Sequence, residues 1–225
     1  MIGTGIDYLD TLLSGGYPLP GSVLVIGPPS IEKEILGLQF VLSGLRRGDV
    51  GLVLVTTRTR HDIEATFRLL NKEKTLPGEM FFIDASGLAS GSEVDIVRLD
   101  DVYSAIEDFL SSRRGRIVRA YIELLSPALM VNPSQKIYEF AFKLHKLLHQ
   151  HQATAVLPLE GSMHDERSVA SLKQVTDGVI DLELVREGLD VNNYLSIEKM
   201  GSAILSSKPY NFSLVMPESE KLLHA

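Results

Sequence analysis

Five short apolar runs, each followed by a segment of helical periodicity, constrain the fold of this chain most strongly. The runs have few polar interruptions, which is typical of strands covered on both faces. In the segments between them, apolar residues recur every three or four positions, as Ile63, Phe67 and Leu70 do. This alternation predicts a largely parallel sheet flanked by helices. The predicted strands cover residues 22–27, 51–57, 80–85, 116–125 and 153–159, and the predicted helices cover 32–47, 60–72, 100–112 and 135–151, the last capped by Ser134.

The C-terminal part of the chain has a different character. Three β-rich segments, GVIDLELVREG, NYLSIEKMG and YNFSLVM, are joined by turns that contain glycine and asparagine. Such spacing predicts antiparallel strands at the end of the sheet. We find no internal repeat, low-complexity segment or linker, so one α/β domain is predicted over residues 1–225.

Charge and composition narrow the class of protein. The 225 residues carry a net charge of -7, which disfavours nucleic acid and anionic membranes as partners of the whole surface. The chain has no cysteine, and its N-terminus lacks the basic and apolar regions of a secretory signal. Its apolar stretches are all shorter than the roughly 18 residues that span a bilayer. We therefore expect a cytoplasmic protein without membrane insertion.

The segment GPPSIEKEIL lies between the first predicted strand and its helix, the position of a phosphate-binding loop. Such a loop reads G-x-x-x-x-G-K-[ST], because backbone N–H groups and lysine bind the phosphates and the hydroxyl binds magnesium. Gly27 and Lys33 match this pattern, but Glu32 replaces the second glycine and Glu34 replaces the hydroxyl residue. A carboxylate about 5 Å from a phosphate costs roughly 3 kcal/mol at an effective dielectric near 20. The loop is therefore poorly suited to ATP.

Two interpretations of these glutamates stay open. Acidic side chains are favoured in the first turn of a helix, so Glu32 and Glu34 can be ordinary surface residues. Alternatively, one of them pairs with Lys33 and takes the place of a phosphate at the positive end of the helix. Both interpretations disfavour nucleotide binding.

Several long stretches resemble KaiC-like, RadA-related members of the RecA superfamily, and these stretches occur in order along nearly the whole chain. They include TGIDYLDTLLSGGYPLPGSVLVIGPPS, GLQFVLSGLRRGDVGLVLVTT and VTDGVIDLELVREG. The resemblance implies a RecA-like P-loop NTPase fold, an archaeal origin and a tendency to form rings or dimers. The nucleotide positions that match the family are Gly27, Pro28, Pro29, Ser30, Lys33, Glu34 and Glu123.

The chain departs from the family at the residues that carry its chemistry. Thr57 and Arg58 stand near the place of the adjacent glutamates that activate water, and neither is a general base at neutral pH. Glu123 followed by Leu124 replaces the aspartate and serine that orient magnesium. The C-terminal K-x-R-G segment loses its arginine, because EKMGS has Met200 at that place.

These departures predict a degenerate member that does not hydrolyse ATP. Phosphoryl transfer depends on positioning and charge stabilisation, so the remaining groups cannot perform it alone. The matched positions are then vestigial, and no catalytic residue, metal or cofactor is expected. The leading hypothesis is a regulatory or assembly subunit that acts through protein contacts. The alternatives are a divergent switch that binds ATP and Mg²⁺ through Lys33, with or without Arg58, and a DNA-recombination accessory protein.

Three further signals receive less weight. His145, His149 and His151 are interpreted as a solvated helix boundary, because no cysteine or nearby carboxylate completes a metal site in the sequence. RTRH (58–61) offers an anion-binding alternative beside the crevice, whereas RRGR (113–116) is interpreted as solvated. The predicted loops VNPSQ and EGSMHDERSVASLKQ lack the aromatic residues that stack on single-stranded DNA, so DNA binding is disfavoured.

Overall fold

The computed structural model describes residues 1–29, 31–71, 75–86, 94–187, 190–201 and 208–212. Its helices are α1 (Asp7–Leu12), α2 (Ile31–Leu45), α3 (Arg60–Leu70), α4 (Leu99–Ser111), α5 (Leu125–Val131), α6 (Ser134–Gln150) and α7 (Glu166–Val175). Its strands are β1 (Gly21–Gly27), β2 (Val50–Val55), β3 (Glu79–Asp84), β4 (Val118–Ile122), β5 (Ala153–Glu160), β6 (Gly178–Glu187), β7 (Asp190–Met200) and β8 (Tyr210–Asn211). None of these helices combines the length and apolar character needed to cross a bilayer.

The described strands form one sheet in the order β3-β2-β4-β5-β1-β6-β7-β8. The six strands from β3 to β6 in this order are parallel, and β7 and β8 continue the sheet in antiparallel pairing. This confirms the predicted α/β class with antiparallel strands at the C-terminal end. The order also brings the carboxyl ends of β1, β2, β4 and β5 to one edge of the sheet, where open α/β sheets bind ligands.

Helices cover both faces of the sheet, which explains why the sequences of the central strands are continuous apolar runs. Every residue of β1, β2 and β4 is buried. Successive side chains of β1 alternate between two cores. Val23 and Val25 belong to the core that includes α1, α2 and α3, whereas Leu24 and Ile26 belong to the core that includes α4, α6 and α7.

Two glycines of α2 allow that helix to lie close to β4. A Cβ at Gly37 would lie 2.1 Å from Cδ2 of Tyr121, and a Cβ at Gly44 would lie 2.4 Å from Cδ of Arg119. Neither separation is compatible with a real Cβ, so larger residues would require the buried side chains of Tyr121 and Arg119 to move. The glycines thereby fix the path of α2 over the sheet, and with it the position of the loop that begins this helix.

The structure corrects several predicted boundaries. Helices α1, α5 and α7 were not predicted. β4 ends at Ile122, and after Glu123 the apolar residues Leu124 and Leu125 are the N-cap and the first residue of α5. Ser134 is the first residue of α6 and not its cap. Pro133 occupies the N-cap position and makes no side-chain hydrogen bond there. The predicted strand over 210–216 is described only as far as Phe212, since residues 213–225 lie outside the described ranges. A single domain over 1–225 stays a prediction.

Candidate functional site

The structure brings most of the predicted nucleotide positions to the carboxyl edge of the sheet. β1 ends at Gly27, Pro28 and Pro29 follow it, and α2 begins at Ile31. Ser30 lies outside the described residues. Gly27 pairs in register with Glu160 at the end of β5, and Glu123 directly follows β4. The sequence did not single out Glu160, because only strand pairing places it beside the loop.

Lys33 is bound to its own chain. Its side chain is 2% exposed, and its Nζ donates a hydrogen bond to the Pro28 carbonyl oxygen and lies 3.5 Å from Oε1 of Glu160. Burial lowers the pKa of Lys33, and the charges of Glu160 and Glu32 partly offset this effect. The hypothesis that Glu32 or Glu34 pairs with Lys33 is therefore wrong, because the ion-pair partner is Glu160 of β5.

Glu34 connects α2 to α3 inside the site. Its Oε2 lies 2.7 Å from Nη1 of Arg58, and its Oε1 accepts a hydrogen bond of 3.0 Å from the Thr66 hydroxyl. The residue is buried, so its interpretation as a surface residue of the first helical turn is wrong. Arg58 was a candidate anion-binding residue, but its guanidinium is already neutralised by this carboxylate. Glu32 lies further out, where its Oε1 accepts a hydrogen bond of 3.3 Å from Asn193 of β7.

Glu123 is held against the end of β2. Its Oε1 accepts a hydrogen bond from the Thr57 hydroxyl, and its Oε2 lies 3.5 Å from the Thr56 backbone nitrogen. Burial raises the pKa of Glu123, the hydrogen bonds from Thr57 and Thr56 oppose this rise, and the charges of Glu34 and Glu160 add to it. The charges of Glu34 and Glu160 would also act on a phosphate that entered the site.

A cavity of about 530 Å³ lies beside the loop, where Gly27 and Pro28 face α7 and β6. Lys173 lines this cavity, but its Nζ lies 2.6 Å from Oε1 of Glu198 and 4.0 Å from Oδ2 of Asp181. Burial raises the pKa of Asp181, and the charge of Lys173 opposes this rise. The cavity is therefore acidic on balance, with its lysine already paired.

The two segments predicted as loops, VNPSQ and EGSMHDERSVASLKQ, are largely helical. Most of EGSMHDERSVASLKQ forms a 3₁₀ turn at Gly161–Met163 and then α7, whose N-cap Asp165 accepts a hydrogen bond from the Ser168 backbone. Lys199, the lysine of the EKMGS segment, lies at the opposite edge of the sheet from Lys33. Its Nζ donates to the Thr176 carbonyl oxygen at the C-terminal end of α7.

Two other sequence interpretations change. Arg113 of the RRGR cluster was interpreted as solvated, but its guanidinium packs over the Phe81 ring at 4.4 Å. His145 and His149 were interpreted as lacking a nearby carboxylate. The structure places Asp177 within 3.2 Å of both rings.

Comparisons with known proteins agree with the fold. A family model described as "ATPase: KaiC" matches residues 2–218. An UPF0273 protein of Methanopyrus kandleri is 26% identical over 196 residues, which cover 81% of this chain and 76% of that protein. The circadian clock oscillator protein KaiC of Synechococcus elongatus is 27% identical over 220 residues, which cover 94% of this chain and 42% of that protein.

A solved structure has the same architecture. The crystal structure of a KaiC-like protein from Pyrococcus horikoshii superposes with a TM-score of 0.73 at 22% identity, and the match covers 94% of each chain. This likeness concerns the fold, and the match of the family model over residues 2–218 establishes the family. The chain therefore belongs to the KaiC ATPase family.

Proposed function

We propose that this member of the KaiC family does not hydrolyse ATP and acts through protein contacts as a regulatory or assembly subunit. The observation that carries the proposal is the state of Lys33. Its ammonium group is buried, bound to Pro28 of its own loop and paired with Glu160, so it is not presented to a ligand. A nucleotide would have to break these interactions before the lysine could reach a phosphate.

The charges around the loop oppose a triphosphate. Four carboxylates, those of Glu32, Glu34, Glu123 and Glu160, surround the two cations Lys33 and Arg58. At about 5 Å and an effective dielectric near 20, each carboxylate repels a unit of phosphate charge by roughly 3 kcal/mol. The two cations are already paired, so they offset little of this repulsion. ATP and Mg²⁺ are therefore not expected as cofactors, and the matched positions are vestigial.

The groups that hydrolysis requires are missing or occupied. A water molecule must be oriented and deprotonated, and charge on the transferred phosphoryl group must be stabilised. The Thr57 hydroxyl donates a hydrogen bond to Glu123, and Arg58 is paired with Glu34. Neither residue is free to orient water or to stabilise the transferred group.

Nucleic acid is not the proposed partner. Lys173, a cation of the segment that follows β5, is paired with Glu198. The adjoining helix α7 begins with Asp165 at its cap and Glu166 in its first turn. These acidic groups weaken attraction for a phosphate backbone, which dominates nucleic-acid affinity.

An exposed aromatic pair supports the proposed protein contacts. Tyr138 and Phe142 lie one turn apart on α6, with ring centroids 6.5 Å apart and ring planes inclined by 11°. Their side chains are 37% and 43% exposed. Aromatic residues are enriched at protein interfaces, since they bury a large area at a low entropy cost.

Titration with Mg-ATP tests the loss of nucleotide function. Calorimetry on the wild-type chain is expected to give no binding heat, and a phosphate-release assay is expected to give no turnover above the buffer blank. The control is Lys33→Ala, which removes the one loop cation and is expected to respond to Mg-ATP as the wild type does. Binding heat that disappears in Lys33→Ala would contradict the proposal and support the ATP-binding switch. Thermal unfolding would then show the wild type stabilised by about 2.7 kcal/mol at an ATP concentration of a hundred times the dissociation constant.

Sedimentation velocity tests the proposed contacts. The wild-type chain is expected to self-associate, and the double variant Tyr138→Ser with Phe142→Ser is expected to sediment as a monomer. Leu184→Ser is the control, because Leu184 is similarly exposed, at 42%, but lies on β6. Equal sedimentation of all three proteins would exclude this face of α6 as a self-association surface.

A further inference from the structure

Two histidines and an aspartate meet at the amino end of the central strands, opposite the phosphate loop. His145 and His149 lie one turn apart on α6, and Asp177 lies directly before β6. Asp177 Oδ2 is 3.2 Å from His145 Nδ1 and 3.1 Å from His149 Nε2. The ligand atoms of the three residues all lie within 4.8 Å of one another. The two histidines were visible in the sequence, but their carboxylate partner was not, because Asp177 is distant in the chain from both of them.

The separations suit a metal ion bound between the three side chains. A tetrahedral zinc ion with bonds of about 2.0 Å holds neighbouring ligand atoms about 3.3 Å apart. The two nitrogen–oxygen separations of 3.2 and 3.1 Å are close to that value. Binding also requires rotation of the imidazole rings, so that the two histidine nitrogens, which lie within 4.8 Å of each other, reach the same separation.

The surroundings fix the aspartate and leave the site open. The Ser22 backbone nitrogen, at the start of β1, donates a hydrogen bond of 2.8 Å to Asp177 Oδ2, and the Ser22 hydroxyl lies 3.2 Å from the same oxygen. Such outer contacts orient a carboxylate ligand. The side chains of His145 and His149 remain accessible to solvent, so an ion can enter and water can complete its coordination.

The protonation states agree with this geometry. Burial lowers the pKa of His145, and the charge of Asp177 only partly opposes that effect, which favours the neutral imidazole. Burial opposes ionisation of Asp177, but the hydrogen bonds from Ser22 and His149 outweigh it and lower the pKa of the carboxyl. A neutral imidazole and an ionised carboxylate are the forms that bind metals. The charge of the neighbouring Lys199, whose ammonium group donates hydrogen bonds to carbonyl oxygens at the end of α7, also lowers the pKa of His145.

We propose that His145, His149 and Asp177 bind one divalent transition-metal ion of the zinc type, with water completing its coordination. Two imidazoles and one carboxylate favour zinc or cobalt over magnesium or calcium, which prefer oxygen ligands throughout. A bound ion joins the C-terminal end of α6 to the segment before β6, and through Ser22 to β1. The proposal does not depend on whether the protein binds or hydrolyses ATP, because the phosphate loop lies at the other end of β1.

Calorimetric titration with Zn²⁺ tests the site in the full chain, purified without a histidine tag and treated with a chelator. The wild type is expected to bind one ion per chain. His149→Ala is expected to weaken binding at least about 100-fold, because removing a direct ligand exceeds the 10- to 100-fold effect of removing an outer-shell partner. His149 is the preferred variant because its side chain is the most exposed of the three.

The matched control is His151→Ala, on the residue that ends the same helix and lies outside the group. This variant is expected to bind Zn²⁺ as the wild type does. Co²⁺ gives a second measurement, since an ion held by these ligands absorbs visible light and the absorption disappears in His149→Ala. Failure of the wild type to bind Zn²⁺ would overturn the proposal, and so would equal affinities in the His149 and His151 variants. Circular dichroism establishes that each variant is folded.

Discussion

Replacing Glu32 with glycine and Glu34 with threonine is expected to raise the affinity for Mg-ATP at least about 100-fold. The double variant restores the G-K-[ST] end of the phosphate loop around Lys33. Removing one carboxylate at about 5 Å relieves roughly 3 kcal/mol of repulsion per phosphate charge, and each 1.4 kcal/mol is a factor of ten in affinity. Some of this gain is lost, because the nucleotide must still separate Lys33 from Glu160.

The structure adds a second reason for this gain. Loss of Glu34 releases Arg58, whose guanidinium is held 2.7 Å from the carboxylate in the wild type. The released cation lies at the carboxyl edge of the sheet, where it can approach a bound phosphate. The variant therefore removes two negative charges from the site and makes one positive charge available.

Calorimetry with Mg-ATP measures the effect, and thermal unfolding verifies that the variant is folded. The control is Glu107→Gly with Glu64→Thr, the same two substitutions at glutamates outside the loop, on α4 and α3. If the loop variant binds no more tightly than this control, the carboxylates are not what excludes the nucleotide. Hydrolysis is not expected in either protein, because the water-activating residues are still absent.

Arg119→Ala is expected to lower the free energy of unfolding by about 3–5 kcal/mol, the range for breaking a buried ion pair by removing one partner. The guanidinium Nε lies 2.8 Å from Asp49 Oδ2, and Nη1 donates a hydrogen bond of 2.7 Å to the Gly3 carbonyl oxygen. The guanidinium carbon also lies 5.0 Å from the Phe40 ring centroid. Truncation leaves Asp49 without its partner and opens a space beneath Gly44.

Thermal unfolding is the measurement for this variant. For a domain of this length, 1 kcal/mol corresponds to about 2–4 °C in the midpoint, so a fall of at least about 6 °C is expected. Arg116→Ala is the matched control, because Arg116 is exposed and lies 3.8 Å from the exposed Glu79. An exposed pair contributes about 0–1 kcal/mol. Equal midpoints for the two variants would contradict a stabilising role for the buried pair.

Periodicity predicted the central elements well because burial there is uniform. β1 and β5 were placed to within a residue, since a strand covered on both faces is apolar throughout. The same rule failed after β4, where apolar residues continue from the strand into α5. Helix α7 was missed because its sequence is mostly small and polar. A usable signal was Asp165, a favoured N-cap residue three positions before Ser168.

The site was predictable where it depends on neighbours in the chain. The loop, Lys33 and the substitutions around it can be read directly from GPPSIEKEIL. The partner of Lys33 was not predictable, because Glu160 reaches it only through the parallel pairing of β1 with β5. The contact of Asp177 with the two histidines was not predictable for the same reason. Asp177 meets His145 and His149 only after β6 has paired beside β1.

The two ends of β1 lie beside the proposed metal site and beside the phosphate loop, so the strand sets the distance between them. Ser22 contacts the histidine–aspartate group, and Gly27 begins the loop. At about 3.3 Å per residue, these two ends of the strand are roughly 16 Å apart. A paramagnetic cobalt ion bound by the histidines and the aspartate would shift the nuclear magnetic resonance signals of Gly27 and its neighbours in the loop, and the size of these shifts would report the separation.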